Sequence, residues 1–125
     1  MKLRIPAIIA AAFLVLAAAG CTSGAGSSAA RLDTPSRHVT NGLMLLENQK
    51  TDAALREFRR AIELDAAYSP AYVGLGLAYG HQGDLKKGFS QLQTAQKYAR
   101  NQDQKRQVKE AYQRLGAMNR GQGHD

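Results

Sequence analysis

From residue 38 onward the chain repeats itself at a spacing of 34. Gly42 returns as Gly76, Leu43 as Leu77 and Ala61 as Ala95. Similar residues pair at the same spacing: Leu45 with Tyr79, Phe58 with Leu92, Leu64 with Tyr98 and Ala54 with Gly88. A unit of this length cannot bury an apolar face alone, so repeated units stack and share a core. Pro70 can open a helix, because proline is tolerated in the first turn. Gly83-Asp84 reads as a turn, with Asp84 available to cap the helix that follows. The expectation is an all-α array of helical hairpins.

The residues at the repeated positions resemble those of the tetratricopeptide repeat (TPR). Unit one would run over 35–68 and unit two over 69–102. Tyr72, Leu75, Gly76 and Tyr79 stand at the family's positions in the first helix of unit two. Ala54, Phe58 and Ala61 stand at those of the second helix of unit one. Several residues depart from the pattern. His38 replaces an aromatic, Asn41 a leucine, Ala66 the closing proline and Gly88 an alanine. A glycine inside a helix costs about 1 kcal/mol relative to alanine, and the polar substitutions predict a loose N-terminal edge. A generic pair of helical hairpins is the alternative to TPR packing.

Residues 103–120 predict one more helix, with Asp103 as its cap. Val108, Ala111, Tyr112, Leu115 and Met118 recur at spacings of three and four and make one apolar stripe. Such a helix would cover the open end of unit two, as solenoid ends require. Lys105, Arg106, Lys109 and Arg114 would occupy its other face. That face is either a basic contact surface for an anionic partner or a solvated face in which Glu110 pairs with Arg106 and Arg114. Residues 121–125 read as a frayed tail.

The first 20 residues have a different character. Lys2 and Arg4 precede an apolar stretch from Ile5 to Ala19, and small residues lead into Cys21, the single cysteine of the chain. This is the layout of a secretory signal peptide. Ala18-Ala19-Gly20-Cys21 resembles the lipobox of bacterial lipoproteins, which implies a diacylglyceryl group on Cys21. A plain secretory signal or an uncleaved anchor is the alternative. A lone cysteine also excludes a disulfide within the chain. Residues 21–34, rich in Gly and Ser, would form a flexible linker. Thr22 follows the cysteine, where an aspartate would favour inner-membrane retention, so the outer membrane facing the periplasm is the expected location. The chain carries +7, and without Lys2 and Arg4 it retains 15 basic against 10 acidic residues. For an exported chain, anionic envelope surfaces are the expected partners rather than nucleic acid.

No catalytic constellation is visible. His38, His81 and His124 are far apart and lack metal-ligand spacing, and no cofactor is expected beyond lipid on Cys21. In TPR proteins the first helix of each unit lines a concave groove. The resemblance places Val39, Leu43, Leu46 and Glu47 there from unit one, and Val73, Leu77 and His81 from unit two. Apolar side chains stand where carboxylate-gripping members carry lysine and asparagine, so the groove suits an amphipathic helix or extended apolar segment. The terminal helix or a second copy could also fill it. Three roles stay open. The first is an adaptor for another envelope protein, similar to small TPR lipoproteins that assist pilus and secretin assembly. The second is an adaptor for peptidoglycan-processing enzymes, and the third a self-associating structural lipoprotein that dimerises.

Overall fold

The computed structural model describes residues 33–123. Cys21, the signal-like segment 1–20 and residues 22–32 lie outside the described residues. Five helices and no strand are found among those described. They are α1 (Pro35–Glu47), α2 (Thr51–Leu64), α3 (Ser69–His81), α4 (Leu85–Tyr98) and α5 (Gln102–Gln122). The fold is an all-α, TPR-like array of two helical hairpins, α1–α2 and α3–α4, with α5 packed on its end.

Local chemistry explains the boundaries. Thr34 caps α1 by accepting the Arg37 N–H at 3.3 Å, and Pro35 occupies the first turn. Asp84 caps α4 by accepting the Lys87 N–H at 3.0 Å. Lys50, which stands 34 residues before Asp84, makes no side-chain cap for α2. The turns are also related by the repeat. Gly83 has φ 83° and Gln49 has φ 60°, so unit one places a glutamine in the left-handed region where unit two has glycine.

Helix α3 is the centre of the molecule. Eight of its thirteen residues are buried, among them Leu75, Leu77 and Ala78. It packs against every other helix, so it is apolar on all sides instead of along one stripe. Phe58 of α2, with 0 % exposure, fills the space between the units. Its ring lies so close to Gly42 of α1 and Gly74 of α3 that a Cβ on either would sit 2.5 Å or 2.3 Å from it. The only buried polar side chain in the described core is Ser69. Its hydroxyl donates to the Ala95 carbonyl at 2.8 Å and ties the start of α3 to the end of α4.

Three boundary expectations need correction. The linker 21–34 loses its last two residues to the fold, because Thr34 caps α1 and Asp33 is bonded by two side chains of unit one. Asp103 does not cap α5. Asn101 does, accepting the Gln104 N–H at 2.8 Å, which starts the helix one residue earlier. At the other end α5 takes in Gly121 and Gln122.

Candidate functional site

The first helices α1 and α3 lie side by side, and α5 lies beside α3 in turn. A cleft of about 340 Å³ runs between the three. Val39, Thr40 and Leu43 come from α1, Val73 and Leu77 from α3, and Gln107, Glu110, Ala111 and Arg114 from α5. A smaller continuation holds Leu46, Glu47 and His81, with Leu43, Leu77 and Arg114 common to both parts. The seven residues expected in the groove are divided between these two adjoining hollows, four lining the larger and five the smaller, with Leu43 and Leu77 in both.

They do not contribute equally to its surface. Val39, Leu46 and Leu77 are buried, Leu77 to 3 % exposure, and belong to the core as much as to the cleft. Leu43 is 38 % exposed and Val73 half-buried. Glu47 and His81 are exposed at one end. Helix α5 lines one side of the concave face without filling it. Met44, next to Leu43, is 57 % exposed but points outside the cleft lining.

The expected basic face of α5 also needs correction, because the four cations do not share one face. Successive residues of a helix turn by about 100°, so Lys105 and Lys109 point together while Arg114 points away from both. Arg114 enters the cleft beside Leu43 and Leu77. Lys105 and Lys109 border a separate depression toward α4. Arg106, opposite the core, pairs with Asp103 at 2.8 Å and Glu110 at 3.9 Å. No Glu110–Arg114 ion pair occurs among the described residues.

A polar network missed by the repeat comparison closes the N-terminal edge. Nδ1 of His38 bonds Glu57 at 2.7 Å and Nε2 bonds Asp33 at 2.6 Å. Arg60 donates to Asp33 at 2.6 Å and to Glu63 at 2.9 Å. Asn41 adds a bond to Glu57 at 3.4 Å. The hydrogen bond to Asp33 raises the pKa of His38 against the opposing effect of burial, with Glu57 adding to the rise. Arg60 and then His38 hold Asp33 below its ordinary value. His38 and Asn41, the two departures from the repeat pattern, thus fasten the edge expected to be loose. The signal available in the sequence was that both departures are polar and share one turn of α1.

Among the described residues no group of three or more His, Cys, Asp or Glu side chains could hold a metal ion. None of the described helices is long and apolar enough to cross a membrane.

Residues 42–83 match the family model of the TPR repeat, a stretch running from α1 through α2 and α3 to the following turn. No curated protein and no solved structure matches the chain. TPR repeats commonly mediate binding between proteins, and a protein partner is consistent with the match. With two helical hairpins stacked at a 34-residue period and a matching segment across their junction, the chain has a TPR-like fold and is similar to the TPR repeat over residues 42–83.

Proposed function

We propose that this chain is a lipid-anchored adaptor of the bacterial cell envelope, which captures another envelope protein in the cleft between α1, α3 and α5. The observation that carries the reading is the cleft itself: an apolar wall of Val39, Leu43, Val73 and Leu77, with Leu43 and Val73 accessible along it, facing Gln107, Glu110 and Arg114 of α5. Its form suits an amphipathic helix or an extended apolar segment. The signal-like segment and Cys21 support the anchor, and tethering would raise the effective concentration of domain and partner. Assembly of a pilus, a secretin or another envelope complex is the class of task such an adaptor serves at the outer membrane, facing the periplasm. Peptidoglycan-processing enzymes are the other candidate clients.

A self-associating role is favoured by one feature, the adjacent exposed Leu43 and Met44 on α1. Large apolar side chains exposed together often mark an interface. Sedimentation separates the two readings, since a monomer at working concentration removes self-association.

The direct test is crosslinking and pull-down from envelopes with Leu43→Glu beside Met44→Glu. Leu43→Glu should lose the partners that Met44→Glu retains. Equal recovery by both would remove the cleft as the site. For the anchor, metabolic labelling with an alkyne palmitate should mark the wild type and leave Cys21→Ala unmarked.

A further inference from the structure

A second depression lies away from the cleft, where the end of α4 meets the first half of α5. It measures about 620 Å³. Its floor is apolar, formed by Ala99, Val108 and the ring of Tyr112. That ring stacks on Phe89, with centroids 6.0 Å apart, which fixes its position. Lys105 and Lys109 border the depression one helical turn apart.

The two lysines are electrostatically unbalanced. Like charges at this spacing repel. Their neighbour Arg106 takes both nearby carboxylates, Asp103 and Glu110. No carboxylate lies within ion-pair distance of Lys105 or Lys109 among the described residues. From Gln96 to Lys109 the sequence holds Lys97, Arg100, Lys105, Arg106 and Lys109 against Asp103 alone. The Tyr112 hydroxyl makes no hydrogen bond among the described residues and is open to a further acceptor.

A cationic rim over an apolar floor suits a ligand with two matching halves. A bare anion would leave the floor in contact with water. A neutral apolar molecule would leave the lysine pair uncompensated. The volume falls in the range of small-ligand sites, roughly 300–1,000 Å³. We propose that this trough binds one molecule of an anionic membrane phospholipid, with the phosphate between Lys105 and Lys109 and an acyl chain along Val108 and Tyr112. The site is independent of the cleft and of any partner bound there.

The test uses the full chain, labelled with ¹⁵N, and dodecyl phosphate as probe below its micellar concentration. Amide shifts should centre on Ala99, Val108, Lys109 and Tyr112. Inorganic phosphate and zwitterionic dodecylphosphocholine should bind there at least about tenfold more weakly, and Lys105→Gln with Lys109→Gln should weaken dodecyl phosphate by a similar factor. Vesicles containing phosphatidylglycerol should displace the probe from the trough, and vesicles of phosphatidylcholine alone should not. Shifts confined to other regions, an unchanged affinity in the double variant, or no displacement by the anionic vesicles would each overturn the proposal. Tighter binding of an acidic leucine-rich peptide at the same amides would overturn it in favour of a protein ligand.

Discussion

His38 replaces an aromatic side chain with a charged clasp. Its ring holds two carboxylates from different parts of the chain, Asp33 before α1 and Glu57 in α2. Because its folded pKa lies above the ordinary value near 6.5, its contribution to stability is complete below that value and is lost as pH rises through the folded one. Asp33, lowered from 3.8, contributes above 3.8 and loses its contribution as pH falls through its own folded value. The clasp is therefore strongest between about pH 4 and 6.5. Thermal melts of His38→Ala should fall well below the wild type at pH 5.5 and approach it at pH 8.5. A gap that does not change with pH would show that the charge is irrelevant. Gln49 gives a second prediction at this scale. A side chain in the left-handed region is strained by roughly 1–2 kcal/mol, part of which glycine gives back through its freer unfolded state. Gln49→Gly should raise stability by about 0.5–1 kcal/mol in denaturant unfolding, and a loss would show that the glutamine has a native contact. The sequence showed that residue 38 breaks the repeat. It could not show the partners, which lie 5 and 19 residues away.

Between helices, close approach decides what the composition of each one means. Gly88 reads as a weak point of α4 when helix propensity alone is considered. In the fold, a Cβ at that position would lie 2.9 Å from the Gly76 carbonyl oxygen and 2.9 Å from Leu115. The glycine lets α3, α4 and α5 meet, and the propensity cost is the smaller effect. Gly88→Ala should therefore destabilise the protein, by about 1–3 kcal/mol as overpacking does; equal or higher stability in urea would refute the contact. The apolar stripe of α5 was legible because helical periodicity reports which side faces the core. The same spacing of about 100° separates Arg114 from Lys105 and Lys109, but which neighbour lies on each flank of the stripe is not written in that spacing. Arg114 meets the cleft and Lys109 the trough only because α3 and α4 sit on opposite sides of the same helix.

Across the whole molecule, the repeat made the topology readable and left the cleft's accessible surface open. Identical spacing means that each unit meets its neighbours in the same way, so stacking follows from one comparison of the chain with itself. How far a terminal helix closes the concave face depends on its tilt, which no periodicity encodes. Leu77 shows the result: a residue at a groove position that α3 and its neighbours almost wholly bury. Stability should be shared just as widely, because Leu115 is fully buried and packs against positions at Gly80 and Gly88. A chain ending at Asn101 should lose its cooperative thermal transition and bind a hydrophobic dye. A retained sharp transition would show that two hairpins suffice.

The position of α5 has one more consequence. It touches α3 and α4 in the pattern by which α3 touches α1 and α2, so it occupies the seat that the first helix of a third hairpin would take. The junction at residues 99–101 is then a seam at which a whole 34-residue module could be spliced in, with α5 moving outward to close the new end. In such a molecule length is a modular variable, and the lining of the cleft could be extended by one unit without redesigning either terminus.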